Sequence, residues 1–222
     1  SRIYAALIAT HGDDKGLVLP FELAPVQIVI IPIYRGENQK TVNAECEKIK
    51  QIVSEAGFAI KFDSSEQTPG YKFNFWEMKG IPLRIEIGER DIADKSVMLA
   101  RRDTKEKAKV KASDLIKTIN EIKNEITKTL RERADGVFNK ILSKANSIEE
   151  LNVLLDKQGG FVRVAFCTDE MQSEPCADKI KEATHANIRG SLFNSKENPS
   201  ASEKCIACGK KANIYLYAAR QY

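Results

Sequence analysis

The chain has 222 residues, with 35 Lys and Arg against 31 Asp and Glu, for a net charge of +4. A composition of 42% hydrophobic and 30% charged residues forms a core, which excludes wholesale disorder, a collagen-like rod and a disulfide miniprotein. The longest apolar run, residues 26–34, is broken by Gln27 and Pro32 and is far short of the roughly 20 residues that span a bilayer. No membrane helix is therefore expected. The opening Ser-Arg-Ile-Tyr lacks a Met and shows no leader with a cleavage site, so a fragment or processed chain without a secretory signal is expected.

Residues 3–10 carry a short helical stripe of Ile3, Leu7 and Ile8, followed by the turn-like His11-Gly12-Asp13-Asp14-Lys15-Gly16. A helix that short is unstable alone and needs a body to pack on. Residues 26–31 form a β-branched run closed by Pro32, the pattern of a strand buried on both faces. Residues 41–56 place Val42, Cys46, Ile49, Ile52 and Val53 at helical spacing, and Gly57 stops the helix. Strands are predicted at 58–62, 83–87 and 96–100, and a long helix from 112 to about 130, with Leu115, Ile116, Ile119, Ile122 and Ile126 on one face. This alternation predicts an α/β domain with a mostly parallel or mixed sheet.

A second helical run is predicted from 131 to about 145. Asn146-Ser147 then caps a helix with the stripe Ile148, Leu151, Val153 and Leu154, which Gly159-Gly160 end. Residues 161–166 and 214–218 read as strands, and the Ser/Pro/Asn/Lys-rich stretch 194–203 as a flexible loop.

Five cysteines is an odd number, and four of them lie late, which suits a reducing compartment and a metal better than a disulfide framework. Cys205-x2-Cys208, followed by Gly209-Lys210, has the shape of a zinc knuckle. Cys167 and Cys176 form a looser pair around an acidic loop. Four thiolates leave no vacant position, so the predicted zinc is structural. The competing reading is free, buried thiols behaving as small hydrophobes. Within the zinc reading His185 is a substitute ligand for the loose pair, although a lone histidine after a helix is more often a surface residue. Cys46 sits on a helix stripe and is left out of the set.

Arg84, Arg90, Arg101, Arg102, Lys105 and Lys107 gather around two predicted strands. Tyr71, Phe73, Phe75 and Trp76 stand just upstream, interleaved with Lys72 and Lys79. Cations beside aromatics suit single-stranded RNA, whose bases unstack onto rings. On composition alone a solvated face over an aromatic core is the better account, and the lysines of 105–123 read as a solvated helix face. An autonomous enzyme is not expected, since there is no Ser/His/Asp set, no phosphate-cradling glycine loop and only two histidines.

Longer matches narrow the choice. His11-Gly12-Asp13-Asp14-Lys15-Gly16-Leu17-Val18-Leu19-Pro20 and Ala24-Pro25-Val26-Gln27-Ile28-Val29-Ile30-Ile31-Pro32 resemble the junction between the catalytic and anticodon-binding domains of prolyl-tRNA synthetases. Pro69-Gly70-Tyr71-Lys72-Phe73-Asn74, Trp76-Glu77-Met78-Lys79-Gly80-Ile81-Pro82-Leu83-Arg84, Glu86-Ile87-Gly88-Glu89-Arg90-Asp91 and Arg101-Arg102-Asp103-Thr104 follow in family order. The ending Leu216-Tyr217-Ala218-Ala219-Arg220-Gln221-Tyr222 resembles the archaeal and eukaryotic-type enzymes, which end in tyrosine.

The resemblance covers essentially the whole chain and implies three parts. Residues 1–22 would be the end of the third class II catalytic motif, 23–125 an α/β anticodon-binding domain with a mixed central sheet flanked by helices, and 126–222 a small α+β zinc-binding domain. Arg2 aligns with a motif arginine that contacts ATP in the family. The parent enzyme activates proline with ATP and Mg and transfers it to tRNA(Pro) in the cytoplasm, typically as a homodimer. Carried over by motif, Glu77, Arg84, Arg90, Asp91 and Lys107 would read the two anticodon guanines, and Cys167, Cys176, Cys205 and Cys208 would bind Zn. A pair of acceptors on one carboxylate suits the N1–H and N2–H2 edge of guanine. For each of these residues a surface salt bridge is the alternative, with Arg84 and Glu86 as one candidate pair. Glu89 stands where the family usually has proline, Phe75 where it often has a polar residue, and the Cys167/Cys176 gap is wider than in relatives. A function of another class remains open at this point: a zinc-stabilised protein-interaction module that touches no RNA.

Overall fold

The computed structural model describes residues 2–34, 36–193 and 198–221. The chain divides into Ser1–Ala134 and Asp135–Tyr222, each built on its own mixed sheet. The first unit runs α1 (Arg2–His11), β1 (Ile28–Ile33), α2 (Gln39–Glu55), β2 (Ile60–Phe62), α3 (Pro69–Met78), β3 (Leu83–Gly88), α4 (Glu89–Ala93), β4 (Ser96–Arg101) and β5 (Lys107–Lys111). Helix α5 (Leu115–Lys140) continues past the division. After it come β6 (Leu142–Ala145), α6 (Ile148–Lys157), β7 (Phe161–Phe166), α7 (Glu174–Thr184), β8 (Ala186–Gly190) and β9 (Ile214–Arg220). This is the α/β architecture expected from the sequence.

The first sheet has the order β2-β1-β3-β4-β5, parallel across its first three strands and antiparallel from β3 onward. Side chains alternate between faces with period two. One face buries Ile28, Ile30, Leu83, Ile85, Ile87, Val97 and Leu99 against Val42, Cys46, Ile49 and Val53 of α2 and Leu115, Ile119 and Ile126 of α5. On the opposite face Val29 and Ile31 of β1 pack with Trp76 of α3 and Ile81. Beyond that helix the same face continues on β3, β4 and β5 with Arg84 and Glu86, Met98 and Ala100, and Lys107 and Lys109. Exposure rises toward the edge strand: the Arg84 and Glu86 side chains are nearly buried, whereas Lys107 on β5 is half-exposed.

Several elements differ from their sequence prediction. Pro32 lies inside β1 rather than closing it. Ile28 and Ile30 bond toward β2 on alternate residues, and β2 ends at Phe62, so the N–H that proline lacks has no strand to meet. The two helical runs expected from 112 to 145 are one helix to Lys140, and Leu142–Ala145 pairs in parallel with β7 instead. Of the lysines expected on a helix face, Lys117 and Lys123 lie on α5, but Lys107, Lys109 and Lys111 form β5, where Lys-Ala-Lys-Val-Lys alternates and charges an edge strand. Ile52 and Val153 are exposed, while Leu155 is buried in place of the latter. Residues 194–197 of the expected loop, and Tyr222, lie outside the described residues.

Helix α3 was not predicted, since its aromatic and basic residues show no amphipathic period. Thr68 caps it by accepting from the Tyr71 N–H at 3.3 Å, and Pro69 opens it. The structure also reassigns half of the aromatic–basic block. Lys72 is buried and donates to the Asp63 carbonyl at 2.9 Å, and Trp76 donates to the Asp63 carboxylate at 2.7 Å. Both are core residues.

Arg102, expected in a basic patch, is buried and structural. Its guanidinium donates to both carboxylate oxygens of Asp13, at 2.6 and 2.8 Å, and to the Glu77 carbonyl at 3.0 Å. Arg101 is likewise engaged, by Asp103 at 2.8 Å and by Glu125. The Arg102 fork ties the 13–16 turn to the end of α3, where the backbones come very close. Gly16 has φ +127°, and a Cβ there would stand 2.6 Å from the Met78 Cα.

The Arg102 fork holds the Asp13 carboxyl well below the usual carboxylate range. A depressed carboxylate stabilises the fold above its unfolded pKa, near 3.9, and this contribution is lost as the pH falls toward the folded value. Asp13→Asn should therefore cost about 2 kcal/mol at pH 7, the scale of hydrogen bonds to a charged group. The difference from wild type should shrink steadily below about pH 4. Urea unfolding followed by the fluorescence of Trp76, the single tryptophan of the chain, reports on this unit. A gap that stays constant down to pH 2 would contradict the assignment.

Candidate functional site

On the open half of the first sheet, four charged side chains form a continuous line. Glu77, in the last turn of α3, approaches Arg84 of β3 at 3.4 Å. Arg84 also meets Glu86, two residues along the same strand face, at 2.9 Å. Lys107 of β5 reaches the Glu86 carboxylate from the other side at 2.9 Å. Phe73 of α3 roofs the line, with the Arg84 guanidinium 4.1 Å and the Lys107 ammonium 5.4 Å from its ring centroid. The candidate pair Arg84–Glu86 is thus present, but as one link of a longer chain. Lys79 is not the partner of Glu77; it lies over the Phe75 ring at 4.4 Å.

The links are unequal. Charge-assisted N–H···O contacts are normally about 2.7–2.9 Å, which the Glu86 contacts match. Among the described residues Glu77 is held by Arg84 at 3.4 Å and by Lys15 at 3.9 Å alone, and its side chain is 27% exposed. Glu86 is therefore saturated, and Glu77 is the loosely engaged acceptor at the end of the chain. Sequence reading named Glu86 only as a possible partner of Arg84; the period-two spacing of 84 and 86 was the signal available for its larger part.

The remaining two predicted residues sit at the carboxyl end of β3. Asp91 accepts from the Gly88 N–H at 2.9 Å and so closes the turn into α4. The neighbouring Arg90 is exposed and makes no ion pair among the described residues. Both line a cleft with Ile33, Glu86, Gly88, Glu89 and Met98. Glu86 thus belongs to both places. Glu77, Arg84 and Lys107 share one face of the sheet, while Arg90 and Asp91 stand at the end of β3 on α4, which also packs toward α2. Arg2 begins α1 and is exposed, apart from them.

The second unit has the sheet order β6-β7-β9-β8, with Val162, Val164, Phe166, Leu216 and Ala218 packed on Leu151, Leu155 and Ile180 of its helices. At one end Cys167, Cys176, Cys205 and Cys208 converge, their sulfur atoms all within 4.8 Å of one another. Such a set could hold a metal ion. Cys167 follows β7, and the stretch expected as an acidic loop instead contains a 3-10 turn at Met171–Ser173 and the start of α7, which carries Cys176. Cys205 and Cys208 lie on a tight turn. The Gly209 N–H donates to the Cys205 carbonyl at 2.9 Å, and φ of +73° at Gly209 lets the chain return. A hydrogen bond from Lys210 and the neighbouring thiols pull the Cys208 thiol down to about 7, whereas burial pushes Cys176 and Cys205 up. His185 caps α7 in the left-handed region and stands outside the cluster.

Glu203 braces the strand leading into that turn. Its carboxylate accepts from Lys144 at 2.8 Å, from the Ser200 N–H at 2.8 Å and from the Tyr215 hydroxyl, which hold it down to about 2. Nothing in the sequence distinguished this residue.

The chain thus joins an α/β domain with a charge-lined sheet face to a small domain built around four thiols. The anticodon binding domain family matches residues 27–122, and the prolyl-tRNA synthetase C-terminal family matches residues 148–222. The proline–tRNA ligase of Thermofilum pendens is 42% identical and that of Pyrococcus abyssi 36% identical, each aligned to all of this chain. A solved prolyl-tRNA synthetase from Giardia lamblia, in complex with prolyl-adenylate, superposes with a TM-score of 0.89 at 31% identity, covering 100% of this chain and 48% of that one. The chain belongs to the prolyl-tRNA synthetase family and carries its anticodon-binding and C-terminal domains. It spans about half the length of the relatives it matches, 45% of each of the two ligases.

Cys46 serves as an internal control for the thiol cluster. It is fully buried between α2 and the sheet, and burial pushes its thiol up to about 12. In native protein at pH 8 it should resist iodoacetamide, while exposed Cys208 in metal-free protein is alkylated; peptide mass mapping distinguishes the two.

Proposed function

We propose that this chain binds tRNA(Pro) through its anticodon, with Glu77 accepting from a guanine Watson–Crick edge. The observation that supports this reading most is the long, partly exposed engagement of Glu77 beside a saturated Arg84–Glu86–Lys107 chain. A carboxylate in a phosphate-binding patch repels the backbone, but one with free lone pairs next to a guanidinium suits an edge with two donors. Arg84 supplies a donor fork under Phe73, Lys107 fixes Glu86, and Arg90 with Asp91 offers a donor and an acceptor in the neighbouring cleft. The protein-interaction alternative gives no role to an unsatisfied carboxylate at this place.

Within the full-length protein the rest of the reaction follows the family. A separate catalytic domain activates proline with ATP and Mg, in the cytoplasm and as a homodimer, and residues 1–22 with Arg2 belong to that domain. No described helix of the chain is long and apolar enough to cross a membrane.

The metal we assign to the thiol cluster is Zn. Tetrahedral thiolate coordination has metal–sulfur bonds of about 2.3 Å, hence sulfur–sulfur edges of about 3.8 Å. The Cys167–Cys176 separation is 3.8 Å, so the wide spacing in sequence does not spoil the half-site. Four thiolates leave no position for substrate, and such an ion stabilises the small domain rather than reacting.

Two outcomes follow. Glu77→Ala should weaken tRNA carrying the two guanines by about 1–3 kcal/mol and leave tRNA with those guanines replaced nearly unchanged. Filter binding at two salt concentrations tests this; equal loss on both RNAs would remove Glu77 from base reading. Elemental analysis should find one Zn per chain, lost in Cys205→Ser and kept in Cys46→Ser. Cys205→Ser should loosen the second unit without shifting the Trp76-reported unfolding of the first.

A further inference from the structure

Helix α3 has a second flank that neither the core nor the guanine-reading site uses. Phe73 and Glu77 face β3, and Lys72 and Trp76 face the core. At 100° per residue, Tyr71 and Phe75 point to the side away from Glu77. Their rings stack with centroids 6.2 Å apart and 16° between planes, and Phe75 meets Trp76 edge-on at 5.1 Å. The Tyr71 side is 55% exposed, and its hydroxyl makes no hydrogen bond among the described residues.

Two cations attend these rings. Lys79 lies 4.4 Å above the Phe75 centroid and Lys61 lies 5.4 Å above that of Trp76. Neither lysine has a carboxylate partner among the described residues, whereas Lys15, Lys107 and Lys109 do. Tyr71, Phe75 and Lys61 line a cleft with Ser64, Ser65 and Gln67, whose side chains can bond a base edge or a sugar. Its one acid, Asp63, is already engaged by Trp76, Ser65 and Lys72.

We propose that this flank is a stacking site for an unpaired RNA base flanking the guanines read at Glu77. Exposed rings beside unpaired cations hold bases without reading their identity, because every base presents a π face. The surface is continuous with the guanine-reading site across the exposed crest of α3, Asn74 and Met78. A helix with its side chains is about 10–12 Å across, a span that a short run of unstacked nucleotides bridges. The proposal rests on the anticodon reading above and extends it from the triplet to the neighbouring loop.

The test uses the 222-residue chain and a synthetic RNA stem-loop with two adjacent guanines in its loop, with each flanking loop nucleotide replaced in turn by an abasic ribose. Tyr71→Ala should weaken the intact RNA roughly 5- to 100-fold, and Tyr71→Phe should bind as wild type. With one of the abasic RNAs, wild type and Tyr71→Ala should bind equally. A Tyr71→Ala loss of the same factor on every RNA, no loss at all, or a loss shared by Tyr71→Phe would each overturn the proposal. The Tyr71 effect should persist when the guanines are replaced, while the Glu77 effect should vanish. A failed guanine reading therefore appears in the Glu77 arm alone.

Discussion

Arg84 is the pivot of the open face. It is a nearly buried cation on a central strand, and such a charge is tolerable only when its donors are met. Glu86 meets the fork from the same strand, Phe73 covers its plane, and Glu77 supplies a longer third contact. The arrangement fixes the guanidinium without consuming Glu77. A ligand edge that replaced the 3.4 Å contact would meet a preorganised donor fork and a carboxylate with lone pairs to spare. Preorganisation of this kind lowers the ordering cost of binding. It depends in turn on α3, whose Phe73 and Glu77 reach the Arg84 side chain from above.

The two units reach stability by different means. In the first, a near-continuous β-branched strand lies between an amphipathic helix pair and α3, with a mainly aliphatic core on one face and Trp76 on the other. The second has a smaller sheet with helices on one face, and its core cluster includes Cys176 and Cys205 among the apolar side chains. Small cores gain most from a cross-link that the unfolded chain does not have. The thiols are placed where that matters, at the junction of β7, the start of α7 and the turn before β9. Glu203 ties the segment before that turn to β6 and β9 through Lys144 and the Tyr215 hydroxyl.

Much of this was legible in the residues. The β-branched run of β1, the stripes of α2 and α5 and the pair Cys205-x2-Cys208 each carry a local signal that tertiary contacts then keep. Where the reading failed, the deciding contact was distant in sequence. Trp76 fits the aromatic core that the composition favoured, but Lys72 looks like a surface residue until Asp63, on the far side of a loop, receives both. Arg102 looks like part of a basic patch until Asp13 arrives from 89 positions away. The strand β5 has the lysine content of a helix face, and only its pairing with β4 shows the period of two. Helix α7 hid behind the acidic spacing of Cys167 and Cys176. The resemblance of motifs nominated five candidate residues, but that Glu86 links Arg84 to Lys107, and through Arg84 to Glu77, is a fact of geometry.

The distribution of charge on the first unit separates two tasks that nucleic-acid binding usually mixes. The reading line pairs Glu77 and Glu86 with Arg84 and Lys107, so a base edge bound there meets nearly balanced charge and releases few counterions. Lys61 and Lys79, and Lys105 in the exposed turn after β4, are cations without carboxylate partners among the described residues. Each phosphate neutralised by such a lysine adds somewhat under one unit to the salt slope. On the proposed reading, attraction for RNA of any sequence comes from these outlying lysines, and discrimination comes from the balanced line between them. On that reading the net charge of only +4 has a reason: a carboxylate that accepts from the N1–H and N2–H2 edge of guanine must be offset by a cation that then contributes nothing to general affinity.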